Sequence, residues 1–560
     1  MRTTLQSMLA VAVLLGAVRL AQSATEPAVT VSFAGYDKLM ADLDMIGKLG
    51  GIPDLSERLD KPLRMLTEAR GAKGPLALAT KQPWGAVLTV ISSVSSESYA
   101  FFPATNVVPM LELVRIQTGA NIKEDDGVYT IPMVAKTMYA TQKGKWAYFT
   151  TAEQTLADVL PNPVTLLGDL PKRYDLAVRL SLKNLTPDIR GELVPRVRES
   201  VQLGMDQIAG ESEEQYAARL DLVDHALRQL QNVVGDIDNL LLGWNIDTQK
   251  KQNTYLDAEI TAKSGTKLAE RFAQVKSGKT SFATLLLPNA AFSANSIGTL
   301  TDVQVGQVTG VLADLRKSAA KQLAKHGFAD VEVKAASRFL DNLVDVFQET
   351  VKNKKTDAAL SLVLDGSAAA TLLVGTTIAD GSKLEKSLGQ LVDDLKKDEK
   401  AATRVKANAE TYKNVHLYTI SLLMPGHELS PLVGKTLAVV VGIAGDKLLV
   451  VAGHDAAQSF KKAFDQLQSA PSQEVPPLQI RLAIPLIAKA VAAVSKNNQI
   501  KAAAAVVAGF GVSAGSKNHV SFTLTPISRG VRARLEVEEG LLKVFGSLGQ
   551  LMGLMSPDSF

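Results

Sequence analysis

The feature that most constrains this chain is a repeat at fixed spacing. Leu176-Ala177-Val178-Arg179-Leu180-Ser181-Leu182 returns as Leu478-Gln479-Ile480-Arg481-Leu482-Ala483-Ile484, 302 positions on and without a gap. At the same offset, Lys143-Gly144-Lys145-Trp146-Ala147-Tyr148-Phe149 meets Gly445-Asp446-Lys447-Leu448-Leu449-Val450-Val451, in each case a turn leading into a β-rich run. Upstream, Val128-Tyr129-Thr130-Ile131 returns as Leu417-Tyr418-Thr419-Ile420, following the polar turns Glu124–Gly127 and Tyr412–Asn414. A shared ungapped offset is hard to produce by accident, so the chain is read as an internal duplication.

Period-two alternation in the seven-residue pair predicts one buried face made of Leu176, Val178, Leu180 and Leu182, and likewise of Leu478, Ile480, Leu482 and Ile484. Arg179 and Arg481 are then expected to face outward, solvated or paired across strands, and they are not assigned a site. Between strands lie helix-start signals. Thr150-Thr151-Ala152-Glu153 opens a run to Leu160, His454-Asp455-Ala456-Ala457-Gln458 opens one to Phe464, and Ser382-Lys383-Leu384-Glu385 leads a helix through Lys396. Hairpin turns favour antiparallel pairing, and strands and helices alternate too irregularly for a doubly wound sheet.

The expected fold is therefore α+β: two related halves of mainly antiparallel sheet with packed helices. The division is a segment 1–23, a first repeat 24–275 and a second repeat 276–560. The first half is expected to carry a helical insertion at 188–236. Its stripe of Tyr216, Leu220, Val223, Leu227, Leu230 and Val234 alternates spacings of four and three. Such a stripe docks onto its own domain or offers a surface for a protein partner or a homodimer. A last helix, Glu539 to Met555, includes the small-residue pair Gly549 and Gly553, for which packing on its own sheet is the default.

At 560 residues the chain exceeds one ordinary core, and a composition 46% hydrophobic and 21% charged excludes wholesale disorder. Residues 1–23 read as an export signal: Arg2, the apolar run Met8–Val18, then Ala21-Gln22-Ser23 as the cleavage site. The expected location is periplasm, cell envelope or extracellular space. Two of the 61 basic residues, Arg2 and Arg19, fall in that segment, leaving near-balance with 57 acidic ones. No dense basic block exists, so nucleic acid is not an expected partner. The absence of cysteine removes disulfides, thiolate metal sites and thiol nucleophiles together. No mature segment reads as a transmembrane helix. Ala502–Ser516 is charge-free but short and Gly-containing, and the uncharged stretch Thr280–Thr301 is broken by Pro288, Asn289 and Asn295.

Apparent catalytic motifs lack their structural context. Gly511-Val512-Ser513-Ala514-Gly515 has the nucleophile-elbow spacing, but a helical run precedes it and a strand, His519–Thr525, follows. Gly278-Lys279-Thr280 and Gly434-Lys435-Thr436 lack the earlier glycine of a phosphate loop, with Ala273 and Leu429 in its place. The six histidines, His225, His326, His416, His427, His454 and His519, form no local metal pair; Asp455 beside His454 reads as a helix cap. Glu124-Asp125-Asp126 and Asp393-Asp394 read as a turn and a solvated helix face rather than as a calcium loop. With only Trp84, Trp146 and Trp244, sugar-stacking platforms are scarce. The sequence thus nominates no catalytic, cofactor-binding or metal-ligating residue, and no cofactor.

The stretches Asn414-Val415-His416-Leu417-Tyr418-Thr419-Ile420 and Asp446-Lys447-Leu448-Leu449-Val450-Val451-Ala452-Gly453-His454-Asp455 resemble uncharacterised exported bacterial proteins of planctomycete type. The resemblance spans 25–290 and 360–560 and implies export and an α+β fold. The leading expectation is a non-enzymatic exported scaffold or interaction protein. The alternatives are a carrier of a lipid or other apolar ligand, and a hydrolase whose site is assembled from distant residues.

Overall fold

Short runs of β-branched and aromatic residues, closed by Gly, Asn or Asp at two-residue turns, make the hairpin the local unit of this chain. In the computed structural model, residues 26–544 are described, except 50–51, 53, 69–77, 93–94, 134–135, 158–159, 204, 208–210, 249–252, 326–329, 365–368, 398–404, 424–428, 454 and 514–516. The segment 1–23 and the pair Gly549 and Gly553 lie outside the described residues. The chain forms two units. One extends to Phe272 and takes in Ile527–Arg532, and the other is Ala273–Pro526 with Ala533–Val544.

The strands of the first unit are β1 (Val29–Phe33), β2 (Trp84–Ser92), β3 (Ser95–Pro103), β4 (Lys123–Asp125) and β5 (Val128–Pro132). They continue with β6 (Thr137–Lys143), β7 (Trp146–Thr150), β8 (Leu176–Ser181), β9 (Ile237–Asp247) and β10 (Asn253–Ala262). All pair antiparallel, in the order β4-β5-β6-β7-β3-β2-β1-β8-β9-β10.

Its helices are α1 (Tyr36–Leu49), α2 (Leu55–Glu68), α3 (Val108–Thr118), α4 (Gln154–Ala157), α5 (Pro163–Leu167) and α6 (Leu170–Arg173), then α7 (Pro187–Leu203), α8 (Glu213–Val233) and α9 (Lys267–Gln274). At the β5–β7 end α3 buries Met110 and Leu111 against Ile131, Ala140 and Phe149. The opposite face carries Val87, Phe101 and Tyr148 beneath Leu156 of α4 and Leu167 of α5. At the other end Leu180, Leu240 and Ile260 pack against α7, α8 and α9 through Leu193, Leu230 and Leu268.

The second unit has a two-stranded sheet, β11 (Gly278–Thr280) with β19 (Gln473–Val475). Its main sheet is built from β12 (Phe292–Thr299), β13 (Lys355–Leu364), β14 (Ala370–Thr377), β15 (Val405–Tyr412) and β16 (Val415–Leu423). To these it adds β17 (Thr436–Ala444), β18 (Lys447–Gly453), β20 (Leu478–Ala483), β21 (His519–Ile527) and β22 (Gly530–Val537), whose first residues belong to the first unit. The antiparallel order is β15-β16-β17-β18-β14-β13-β12-β20-β21. Position for position, this is the order of the first nine strands, β4 to β9, in the first unit's sheet. Its helices are α10 (Asp302–Lys325), α11 (Asp330–Lys352), α12 (Gly381–Lys397), α13 (Ser430–Val433), α14 (Ala456–Ser469), α15 (Ile484–Val494) and α16 (Asn498–Ser513). Phe460 and Phe464 of α14 fill one face of the sheet, and Val346 of α11 with Leu388 of α12 fill the other.

Several local expectations change. The expected run to Leu160 contains the short α4, residues 158–159 beyond it lie outside the described residues, and the Thr150 hydroxyl donates to the Ser98 carbonyl (2.8 Å) inside the sheet. The cap of α12 is Asp380, which accepts from the Lys383 amide (2.8 Å), one residue pair before the expected Ser382. Region 188–236 is helical, as α7 and α8, but the second unit has its own helix pair, α15 and α16, at the same step between strands. The helices are therefore not peculiar to the first half.

The expected buried face of β8 holds at one end only: Leu182 is buried and Leu180 packs on the helical core, but Val178 is not covered. Ala177 and Ser181 are buried while Val178 is 38% exposed, and the Arg179 guanidinium turns in to donate to the Leu166 carbonyl (3.1 Å). Its counterpart Arg481 lies 3.7 Å from the Glu538 carboxylate, and Leu478, Ile480 and Leu482 are half-buried.

In the helical stripe Leu227 is buried, and Leu230 and Val234 join a core with Ala28, Leu182 and Ile237. The stripe is thus used within its own unit. Leu227→Ala is expected to lower unfolding free energy by about 3 kcal/mol in urea titration, with the sedimentation coefficient unchanged. A changed oligomeric state at unchanged stability would contradict this placement.

Candidate functional site

Strand β10 reads Asn-Thr-Tyr-Leu-Asp-Ala-Glu-Ile-Thr-Ala, and alternation obliges one set of residues to face the helices. It is the charged set that does. Asp257 is fully buried and Glu259 nearly so, while Leu256 is 39% exposed. The helix-covered side supplies the compensation. Tyr174, which follows α6, donates its hydroxyl to Asp257 Oδ2 (2.9 Å) and lies 3.2 Å from Glu259 Oε1. Arg173 Nη2 donates to the same Glu259 oxygen and to the Tyr174 hydroxyl (2.6 Å). Arg532 Nε donates to Glu259 Oε1 at 2.6 Å and stands 3.6 Å from Asp257. Two guanidinium groups thus meet two carboxylates, the arrangement a buried charge cluster requires.

Burial, reinforced by the Asp257 charge, pushes the Tyr174 hydroxyl well above the usual phenol range, so it acts as a fixed donor. Its ring lies flat over Gly243 of β9, where a Cβ would come within 2.6 Å of three ring atoms. That close approach is why glycine stands there.

With charges turned to one side, the other side of β8–β10 is apolar; α7, α8 and α9 cover it at Leu180, Leu240 and Ile260, and the part beyond is open. Val178 (38% exposed) pairs directly with Leu242 (50%), and Trp244 (36%) pairs with Leu256. The Trp244 indole N–H is satisfied within the strand pair by Thr254 Oγ1 (2.7 Å), so the surface offers an aromatic face without an unmet donor. Four large apolar side chains adjoining on one strand face form a patch, unlike scattered single exposures.

At one end of the same strands a cleft of about 530 Å³ is lined by Gly35, Asp37, Lys38, Thr80, Asn245 and Asp247 among others. Lys38 reaches from its floor to Asp42 on its own helix, to Asp175 (2.8 Å) and to the Ile246 carbonyl (2.8 Å). Asp175 also accepts from the Ile246 amide (2.5 Å). Burial, aided by the Asp175 charge and opposed by hydrogen bonding to Lys38, raises the Asp42 carboxyl to about 7. A lysine engaged by two carboxylates is not a free nucleophile; this group takes up a proton near neutrality.

The residues singled out in the sequence do not converge on either place. His225 is exposed on α8, His416 lies 2.7 Å from Glu385 on the surface, and His519 is buried beside Glu538 (3.1 Å). Burial opposes ionisation of Glu538, but hydrogen bonds from the His519 ring and amide outweigh it and hold the carboxyl low. His326, His427 and His454 lie outside the described residues, and among the described residues no group of three potential ligands could hold a metal.

Gly278-Lys279-Thr280 is strand β11, with Thr280 buried and bonded to Asp357 (2.5 Å). Gly434 ends α13 and Thr436 begins β17. Ser513 is the last residue of α16, and Ala514 and Gly515 lie outside the described residues. Asp455 holds the N-cap position of α14 without a side-chain capping bond. Asp394 pairs with Arg338 (2.9 Å).

Sequence reasoning passed over Trp244, Leu242 and Leu256. The available signal was the pair Asp257 and Glu259, two charges at i and i+2 in a strand with one buried face. Comparison of the chain with family models, curated proteins and solved structures returns no match.

The raised Asp42 carboxyl has a defined sign. Its folded value lies above the ordinary 3.8, so its stabilising contribution is complete below about pH 4 and is lost as pH rises through 7. Differential scanning calorimetry from pH 5 to 8.5 should show wild-type Tm falling relative to Asp42→Asn. Parallel curves would contradict the assignment.

Proposed function

We propose that this is an exported, non-enzymatic interaction protein that holds a protein partner on the open face of β8, β9 and β10. The observation carrying this reading is the inverted polarity of those strands: Asp257 and Glu259 point into the unit, and Leu242, Trp244 and Leu256 point out. Exposed apolar area with an aromatic anchor, on an open strand surface, has the character of a protein interface core. An apolar-ligand carrier calls instead for an enclosed apolar volume, and the cleft beside these strands is open and sets Asp37, Lys38, Lys81 and Asp247 among Ala34, Ala41 and Ile246.

We further propose that the two units arose by duplication. The shared strand order supports this, as do matched turns. Asp126-Gly127 and Lys413-Asn414 both take two positive φ values, and Gly144 and Gly445, one residue off the spacing of 302, each take one in the β6–β7 and β17–β18 turns. Registers agree as well, since Val31 opposes Val178 where Ala294 opposes Ile480, 302 residues after Val178. Export rests on the leader-like first 23 residues and on the resemblance to exported planctomycete-type proteins.

A photo-crosslinking residue at Leu242, compared with one at Lys81, tests the reading in the native host. One discrete protein adduct is expected from position 242 alone. Binding of that protein, once purified, should be abolished by Leu242→Asp at unchanged Tm. A lipid extracted with the protein and displaced by the same substitution would instead establish the carrier, and equal adducts from both positions would remove the face from consideration.

A further inference from the structure

The helix pair α15–α16 joins two observations that pull against each other in water. From Ile484 to Ser513 the chain contains Lys489, Lys496 and Lys501 and no Asp or Glu, within a protein whose charges nearly balance. After Lys501, α16 is uncharged to its end. A helix this apolar is normally buried. Here α16 packs against α15, with Ala504 at the buried side, while Ile500 is 51% and Val506 41% exposed and Ala502, Ala503 and Ala505 are exposed too. On α15, Leu486 and Ile487 reach the core beside Ala291 and Leu364, leaving Val491 36% exposed.

The turn between the helices is built. The Ser495 amide donates to the Val491 carbonyl (2.9 Å), and Asn497 Oδ1 accepts from the Gln499 amide (2.9 Å), capping α16. Lys496 stands in that turn, with Ile500 and Lys501 on the first turn of α16. Apolar and cationic groups are therefore presented together at one tip.

We propose that the α15–α16 hairpin docks this protein onto an anionic phospholipid surface. Charge complementarity selects the occupant, because a mainly apolar segment whose charges are all cationic matches anionic headgroups above acyl chains. A span is excluded by length: the 16 residues of α16 reach about 24 Å, short of a hydrocarbon core of about 30 Å. Among the described residues, no helix is long and apolar enough to cross a membrane. The hairpin therefore lies in the interface, with Ile500 and Val506 entering the acyl boundary and the lysines at headgroup level. This proposal is independent of the β8–β10 reading.

Co-sedimentation of the full chain with sucrose-loaded phosphatidylcholine vesicles, with and without phosphatidylglycerol, tests it. Binding is expected only to the anionic vesicles and should weaken with added salt. Lys496→Gln with Lys501→Gln should reduce it by about thirtyfold, and Ile500→Glu with Val506→Glu should abolish it, both at unchanged Tm because these side chains are exposed. No vesicle binding, equal binding by both variants, or salt-insensitive binding to phosphatidylcholine alone would overturn the proposal. So would self-association of the protein that Ile500→Glu removes, since the occupant would then be a second copy.

Discussion

The buried cluster of Asp257, Glu259, Arg173, Arg532 and Tyr174 sets the polarity of the first unit's sheet. Carboxylates on an inward strand face persist only when paired and hydrogen-bonded. Here Arg173 and Tyr174 come from the end of α6, and Arg532 from 273 residues beyond Glu259 in sequence. Once those charges are committed inward, alternation leaves Leu256 and Ala258 no choice but to face out, and β9 follows because Leu242 and Trp244 are their direct partners. Gly243 completes the device, since any larger residue would displace the Tyr174 ring and with it the donor to Asp257.

The same economy runs through both units. Each is an antiparallel sheet in which local hairpins set the register within β4–β7, β2–β3, β9–β10, β13–β14 and β15–β18, while β1–β2, β3–β7, β1–β8, β8–β9, β12–β13, β14–β18, β12–β20 and β20–β21 require distant segments to meet. Helices are then added at the same steps in each unit. What differs is the chemistry of those helices. In the first, α7 and α8 carry a charged exterior laced with pairs such as Arg196–Glu192 and Arg228–Asp224. In the second, α15 and α16 are mainly apolar, and lysine is their one charged residue type.

Strands and hairpins were legible in the sequence because period-two runs and left-handed turn residues are local signals; β5 and β16, and the turns at Gly144 and Gly445, lie where composition puts them. The helical stripe ending in Leu230 and Val234 was legible for the same reason. The side of β8 that would be covered was not. Alternation distinguishes two faces without saying which meets a helix, and here both do: α7 to α9 reach Leu180 on one face, and α5 and α6, whose short, Pro-containing sequences carry little periodic signal, cover the other. Arg179 was misplaced because its partner is a backbone carbonyl, invisible to side-chain pairing rules. The site on β9 and β10 was hidden by its dependence on Arg532, and the Asp42–Lys38–Asp175 group by the distance between α1 and Asp175.

The central claim is that Trp244 belongs to an uncovered apolar face created by the inward turn of its neighbours' charges. Acrylamide quenching of a single-tryptophan protein, with Trp84 and Trp146 replaced by Phe within their aromatic clusters, measures this directly. The expected result is ready quenching and red-shifted emission, both becoming protected when a partner is bound. Blue-shifted emission resistant to quencher in the isolated protein would contradict the account, because the face would then be covered by the chain itself.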